Sequence, residues 1–208
     1  MDERIKTQDA ILSKLGIDEL NPMQTEAGVA IAQNADVVIV SNTGTGKTLA
    51  FLLPLIKMMN PSIAGIQTLI LVPSRELAIQ IEQVIREMGS GYKVNAVYGG
   101  RSGAKDRLAL NHPPSILVGT PGRVADHFRR QTIRTVDIAY LVLDEYDKIL
   151  EVGFADEMQE IIGELRLLKR KVLTSATENV SFPDYLDLNK PIILKFKAER
   201  SQDLQVKV

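Results

Sequence analysis

A glycine-rich segment that ends in a lysine and a hydroxyl residue is where residue types and spacing first suggest chemistry. It consists of Ser41, Asn42, Thr43, Gly44, Thr45, Gly46, Lys47 and Thr48. Glycines let the backbone N–H groups of such a loop converge on phosphate oxygens, and a helix that follows directs its positive end at them. Lys47 would contact the outer phosphates and Thr48 would bind Mg²⁺. We interpret the segment as a P-loop for ATP, although Ser41 stands where the strict pattern has glycine.

A second candidate site is acidic and consists of Asp144, Glu145 and Asp147, directly after the apolar run 140–143. One carboxylate at such a place can hold Mg²⁺ through water, and its neighbour can orient and deprotonate the water that attacks the γ-phosphate. We assign Asp144 to the metal and Glu145 to the nucleophile, with Lys47 as the third catalytic residue. Acidic residues are also common at solvated helix N-termini. The position after a strand and downstream of a P-loop favours the catalytic interpretation.

Both motifs depend on strands that place them, and the sequence predicts about seven. Short runs rich in β-branched residues occur at 37–41, 68–72, 93–98, 116–119, 140–144, 171–174 and 192–196. Segments with helical periodicity separate most of them. This alternation predicts an α/β fold with a mainly parallel sheet and helices on both faces. Ligands bind beyond the carboxyl ends of such strands, where both motifs lie.

Composition limits the remaining possibilities. The 208 residues carry a net charge of −1 and include no cysteine, which excludes disulfides and thiolate metal sites. A nucleic acid would have to be held by local contacts, because the chain has no overall positive charge. No apolar run approaches the roughly 20 residues of a membrane span. We expect a single cytoplasmic domain over residues 1–208, with 198–208 as a tail or the start of a linker.

The order of the motifs resembles the DEAD-box RNA helicases of superfamily 2, over about residues 10–195. Residues 16–24 are similar to the Q motif of that family, in which the glutamine recognises adenine and the hydrophobic second residue packs on the base. The resemblance implies these roles for Gln24 and Ile17, within a Q-motif region at 1–33. The amide of Gln24 offers one donor group and one acceptor, which suits the adenine edge. The implied fold is the RecA-like P-loop domain.

Three further matches imply contacts to the sugar-phosphate backbone of RNA. They resemble motif Ia, the GG motif and motif Ib of the family, and each follows a predicted strand. The residues concerned are Pro73, Arg75, Gly99, Gly100, Thr120, Gly122 and Arg123. Arginine can form two parallel hydrogen bonds to a phosphate, and glycine allows close approach of the backbone. Taken singly, Arg75 with Glu76 is better explained by a helix-start ion pair, and Gly99 with Gly100 by a turn. The matching order of all the motifs rules out these explanations for the set as a whole.

Ser175 and Thr177 follow the predicted strand 171–174, and we assign them with Asp147 to coupling between the nucleotide and the rest of the chain. An isolated Ser or Thr more commonly caps a helix. Tyr146 stands where the family has alanine, at a position with no catalytic task, so we expect activity to survive this difference.

The resemblance also implies a partner domain. The second RecA-like domain of the family, with its arginine finger, lies outside these 208 residues. Arginine fingers contribute on the order of 10³ to 10⁵ in rate in related systems. We therefore expect this chain to bind ATP and RNA but to hydrolyse ATP poorly and not to unwind duplexes alone. A superfamily 2 motor on DNA and a non-catalytic adaptor are the alternatives; Gln24 argues against the first, and the intact Lys47, Thr48, Asp144 and Glu145 argue against the second.

Overall fold

The computed structural model describes residues 4–33, 36–100, 103–178 and 181–196. The strands in this part of the chain are β1 (Asp36–Ser41), β2 (Thr68–Leu71), β3 (Val94–Val97), β4 (Ile116–Gly119), β5 (Tyr140–Leu143), β6 (Arg170–Ser175) and β7 (Ile192–Phe196). The α-helices are α1 (Gln8–Leu15), α2 (Pro22–Gln33), α3 (Lys47–Met58), α4 (Arg75–Met88), α5 (Gly103–Leu110), α6 (Pro121–Arg129), α7 (Tyr146–Val152) and α8 (Ala155–Glu164). A 3₁₀ turn spans Asp184–Leu186. The predicted tail at 198–208 lies outside the described residues.

All seven strands form one sheet in the order β3-β4-β2-β5-β6-β1-β7, and every neighbouring pair is parallel. The predicted parallel α/β fold is therefore confirmed, and each predicted strand overlaps an observed one to within one residue at either end. No helix within the described residues has both the length and the apolar character needed to cross a bilayer.

The central strands are buried on both faces because their successive side chains enter different cores, whereas β7 at one edge of the sheet is exposed to partly buried. In β1, Val37 and Ile39 pack in the core formed with α1 to α4, whereas Val38 and Val40 pack in the core formed with α6 to α8. The other central strands alternate in the same way. Near-continuous apolar strands are thus explained by two helical layers around one sheet.

Helix starts lie immediately beyond the strand ends. Helix α3 begins at Lys47, directly after Gly46, which turns the chain with a φ of 88°. Helix α4 begins at Arg75, where the Ser74 hydroxyl accepts a hydrogen bond from the Leu77 N–H at 3.2 Å. Both helix N-termini consequently face the carboxyl edge of the sheet.

Backbone hydrogen bonds continue one residue beyond the ends of three strands, β5, β2 and β4. The Asp144 N–H donates to the Leu71 carbonyl (2.9 Å), and the Val72 N–H donates to the Gly119 carbonyl (3.0 Å). The Thr120 N–H donates to the Val97 carbonyl (3.2 Å). The first residues of the acidic motif and of motif Ib, and the residue before motif Ia, are therefore still part of the sheet ladder.

Candidate functional site

The sheet order brings the P-loop and the acidic motif to one part of the carboxyl edge. Strand β6 lies between β5, which the acidic motif follows, and β1, which leads into the P-loop. Val40 aligns with Ser175, and Leu143 aligns with Leu173. Only β6, the strand that carries Ser175, therefore lies between the two motifs. Its spacing to the strand on each side is about 4.8 Å.

Lys47 is folded back onto the P-loop. Its Nζ donates to the carbonyl oxygens of Ser41 (2.5 Å) and Asn42 (2.6 Å), and only 8% of the residue is exposed. Burial lowers the pKa of the Lys47 ammonium group, and the nearby carboxylates of Asp144 and Glu145 oppose that shift. Two N–H donors of the Lys47 ammonium group are thus bonded to loop carbonyls, and a phosphate would have to displace these carbonyls to accept from them.

The rest of the P-loop is held by short side chains while its tip stays open. The buried Ser41 hydroxyl donates to Thr45 Oγ1 (3.0 Å), which itself donates to the Asn42 carbonyl (2.9 Å). Thr43 and Gly44 at the tip are exposed, and Thr48 is half-buried at the first turn of α3. Ser41, the departure from glycine, therefore contributes a hydrogen bond to the loop.

The Q-motif region is attached directly to the P-loop. Gln24 Nε2 donates to the Gly46 carbonyl (3.3 Å), and Gln24 Oε1 accepts from the Asn21 N–H (3.0 Å). Asn21 Nδ2 donates to the Thr45 carbonyl (3.0 Å). Ile17 is half-buried and packs on the core beneath. A side-chain amide has two donors and two acceptor positions, so Gln24 keeps one of each for a ligand.

Gly46 is the position at which this attachment is most easily broken. A Cβ there would lie 2.5 Å from Gln24 Nε2, and the φ of 88° disfavours any side chain. We expect Gly46→Ala to lower the free energy of unfolding by about 1–3 kcal/mol, as for other strained backbone positions, and to weaken binding of an ATP analogue. Urea denaturation and calorimetric titration measure the two effects.

Gly163→Ala is the matched control for that substitution. Gly163 lies in α8 with no atom within 4 Å of an added Cβ and without a positive φ. Alanine in a helix is favoured by roughly 0.5–1 kcal/mol over glycine, so this variant should be unchanged or more stable. Equal stability of the Gly46→Ala and Gly163→Ala variants would contradict the argument.

The acidic motif starts with a carboxylate that is almost completely buried. Asp144 is 3% exposed, and its Oδ1 accepts a hydrogen bond from Thr174 Oγ1 at 2.5 Å. Burial raises the pKa of the Asp144 carboxyl, and the Thr174 hydrogen bond opposes that shift. Glu145 is half-buried and adopts a left-handed backbone conformation, with φ 52° and ψ 50°. The turn that separates β5 from α7 is therefore made by a glutamate in an unfavourable conformation.

One contact joins the acidic motif to the turn at the end of β6, and two further hydrogen bonds hold that turn. Asp147 Oδ2 accepts from the Ala176 N–H (3.3 Å). The Ser175 hydroxyl donates to the Thr177 carbonyl (2.9 Å) and accepts from the Thr177 N–H (3.0 Å). The structure thus brings together Asp147 and the turn formed by Ser175 and Thr177, but the contact is through the Ala176 backbone.

The donor set suits a magnesium ion that a nucleotide helps to hold. Within the described ranges, no group of three or more histidine, aspartate or glutamate side chains lies close enough together to hold a metal ion. Magnesium is usually bound through one or two carboxylates together with substrate phosphates and water. Asp144 and the hydroxyl of Thr48 fit that pattern, with phosphate and water as the remaining ligands.

The second set of predicted residues lies at the other half of the same edge, after β3, β4 and β2, which are neighbours. Arg75 is exposed and pairs with Glu76 (2.6 Å), and a Cβ on Gly100 would lie 3.9 Å from Arg75 Nη1. Gly99 is exposed as well, whereas Pro73 and Gly122 are half-buried. Motif Ia and the glycine pair therefore adjoin at the surface.

Thr120 and Arg123 are less accessible than a role in phosphate binding suggests. Thr120 is 9% exposed at the start of α6. Arg123 donates from Nε (2.9 Å) and Nη2 (2.8 Å) to Oδ2 of the buried Asp106, and from Nη1 to Asp126 (3.3 Å). Arg123 therefore ties α5 to α6 in this structure. Its predicted contact with an RNA phosphate stays a prediction.

Two residues of the site, Asn21 and Thr174, are not among the predicted site residues. Asn21 lies within the Q-motif region, and its side chain donates a hydrogen bond to the P-loop backbone. Thr174 was treated as part of a strand, yet its hydroxyl contacts the acidic motif twice. No signal in the sequence distinguishes Thr174, because threonine is an ordinary strand residue.

Fold and site together define a RecA-like P-loop domain. The family model for DEAD/DEAH box helicases matches residues 21–184, and the chain belongs to that family. The matched region includes Gln24, the P-loop, the acidic motif and the residues after β6.

Named relatives and solved structures agree with this assignment. The chain is 38% identical over 168 residues to the DEAD-box ATP-dependent RNA helicase CshA of Bacillus subtilis (strain 168), covering 80% of this chain and 34% of the relative. It is 34% identical over 196 residues to CshA of Geobacillus kaustophilus (strain HTA426), covering 90% and 41%. The chain thus spans well under half the length of these two relatives.

Two crystal structures share the fold. A DEAD box protein from the hyperthermophile Methanococcus jannaschii superposes with a TM-score of 0.80 at 30% identity, covering 92% of this chain and 54% of that one. A hypothetical ATP-dependent RNA helicase from Sulfolobus tokodaii gives a TM-score of 0.79 at 26% identity, covering 94% and 57%. This chain corresponds to about half of each.

Proposed function

We propose that this chain is the ATP-binding first half of an ATP-dependent RNA helicase. The observation that carries the proposal is that three motifs distant in sequence meet at one place. Gln24 and Asn21 are bonded to the P-loop, and β6 connects the P-loop strand to the acidic motif. The names of the CshA relatives support ATP as the nucleotide and RNA as the substrate.

The roles follow from the chemistry of the side chains. Lys47 leaves the loop carbonyls and contacts the outer phosphates, and the helix α3 N-terminus faces them. Thr48 and Asp144 hold Mg²⁺, which when bound neutralises charge on the phosphates. Glu145 orients the attacking water and accepts its proton. Gln24 recognises the adenine edge.

The second ligand is held at the β3-β4-β2 half of the edge. Arg75 and the backbone of Gly99 and Gly100 are exposed there and face a common surface. Such contacts bind the sugar-phosphate backbone and carry no sequence information. Hydrolysis and unwinding require a second RecA-like domain. This chain covers only 54% and 57% of the two solved structures, which is consistent with a second domain in those proteins.

A nucleotide titration tests the first half of the proposal on this chain. We expect the β,γ-imido analogue of ATP to bind in the presence of Mg²⁺, with at least about tenfold preference over the same analogue of GTP. The bonds to Gly46 and Asn21 hold the Gln24 amide in one orientation, so it cannot turn over to suit guanine. Calorimetry measures both affinities. Failure to bind either analogue would contradict the proposal. Equal affinities for the two analogues would show that Gln24 does not recognise the base.

A nucleic-acid titration tests the second half. With the ATP analogue present, single-stranded RNA should bind more tightly than DNA of the same sequence in fluorescence anisotropy. Arg75→Ala should weaken RNA binding without lowering the melting temperature, because Arg75 is exposed. A preference for DNA would favour a DNA-acting motor instead.

A further inference from the structure

Thr174 is a buried polar residue at the centre of the site. It lies in β6, between the P-loop strand and the strand that leads to the acidic motif, and it aligns with Ile39 of β1. None of its surface is exposed. The residues before it, Val172 and Leu173, are apolar and belong to the two cores. Its hydroxyl is therefore the first polar group of β6 at the edge where the ligand would lie.

The Thr174 hydroxyl uses both of its hydrogen-bonding capacities on the acidic motif. It donates to Asp144 Oδ1 at 2.5 Å and accepts from the Glu145 N–H at 3.0 Å. One hydroxyl has a single hydrogen and two lone pairs, so the two bonds are compatible. The first is a short O–H···O⁻ bond, a class roughly twice as strong as a neutral one. One side chain thus holds the Asp144 carboxylate and the backbone of Glu145.

The second bond acts on a strained turn. Glu145 has φ 52° and ψ 50°, in the left-handed region that non-glycine residues seldom adopt. Such conformations persist only where surrounding contacts over-determine them. The Glu145 N–H bond to Thr174 is one such contact, and the Asp144 N–H bond to Leu71 on the other side is another. Together they set the direction in which the Glu145 side chain leaves the backbone.

We infer that Thr174 is a positioning residue for the acidic motif. Its hydroxyl orients Asp144 towards the cation and Glu145 towards the water. The inference rests on the proposed function. Holding Asp144 Oδ1 fixes the plane of the carboxyl group and hence the direction of its other oxygen. A hydroxyl that only satisfied a buried acid would stabilise the fold without affecting how the cation contributes to nucleotide binding.

The test compares binding of the β,γ-imido ATP analogue with Mg²⁺ and with EDTA, in wild type and in Thr174→Val. Valine has nearly the same shape and lacks the hydroxyl. We expect the gain in affinity due to Mg²⁺ to fall by about tenfold in the variant, as for loss of a charged hydrogen bond. Affinity in EDTA should change by less than about threefold. Thr174→Ser, which keeps the hydroxyl, should restore the Mg²⁺ gain.

Thr68→Val is the matched control. Thr68 is also a buried threonine in a strand, and its hydroxyl bonds Met59 Sδ at 3.4 Å at the opposite end of the sheet. This variant should lose some thermal stability and keep the wild-type Mg²⁺ gain. If Thr174→Val does not fold, Thr174→Cys replaces it, because a thiol is only a weak donor.

The outcomes are separable. A wild-type chain that binds the analogue in neither solution contradicts the proposed function. A wild-type Mg²⁺ gain that is unchanged in Thr174→Val, or in Thr174→Cys where that variant is used, overturns the positioning role alone. A reduced gain that Thr174→Ser restores and Thr68→Val does not reproduce establishes it.

Discussion

Replacement of Tyr146 by alanine is expected to destabilise the chain by about 3–5 kcal/mol, the usual cost of removing a buried aromatic ring. Tyr146 is 0% exposed, and its ring stacks on Phe182 with centroids 6.3 Å apart and an interplanar angle of 13°. Burial, with a smaller contribution from Tyr185, raises the pKa of the Tyr146 phenol. For a chain of this size, each kcal/mol lowers the melting temperature by roughly 2–4 °C. A thermal melt should therefore shift by on the order of 10 °C.

The direction of this effect is not obvious from the family. Alanine is the usual residue at this position, so the substitution returns the chain to the family pattern. Here the ring fills space between α7 and the segment that leads to the 3₁₀ turn, so its removal leaves a cavity. Tyr146→Phe keeps the ring and should stay within about 1 kcal/mol of wild type. An alanine variant as stable as the phenylalanine variant would contradict the packing argument.

Replacement of Lys47 by alanine is expected to weaken binding of the ATP analogue by about 10- to 150-fold, which corresponds to loss of charged hydrogen bonds worth 1.5–3 kcal/mol. In the free chain the Lys47 ammonium group binds two loop carbonyls, and those donors become available to phosphate when the nucleotide enters. Calorimetric titration with Mg²⁺ present measures the effect.

Lys57→Ala is the control for that substitution, because Lys57 lies in the same helix, is exposed, and sits near its far end. Its affinity should stay within about twofold of wild type, as for most surface substitutions away from a site. If Lys47→Ala bound the analogue as tightly as Lys57→Ala, the ATP site would be wrong and a non-catalytic adaptor would be the better hypothesis.

The strands were predictable because each is an apolar run between segments of a different period. Both faces of the sheet are covered, so the strands needed no polar alternation, and their lengths and turn residues separated them from helices. The proximity of the P-loop to the acidic motif was predictable for the same reason, since parallel strands place their carboxyl ends at one edge of the sheet.

Other parts of the site depend on contacts that spacing does not encode. Threonine is an ordinary strand residue, so nothing in the composition of β6 distinguished Thr174 from a packing residue. The Arg123 ion pair depends on how α5 lies against α6, and Asp106 is on a different helix. The packing of Tyr146 depends on the route of the chain after β6, which periodicity leaves open. Each of these features is set by tertiary packing.

The hydrogen bonds that extend the ladder beyond β5, β2 and β4 have a mechanical consequence. They link the start of the acidic motif to β2, the residue before motif Ia to β4, and the start of motif Ib to β3. The whole series crosses three strand spacings, roughly 14 Å. Displacing one motif relative to the next would break one of these hydrogen bonds, so we expect this edge of the sheet to move as a single rigid body.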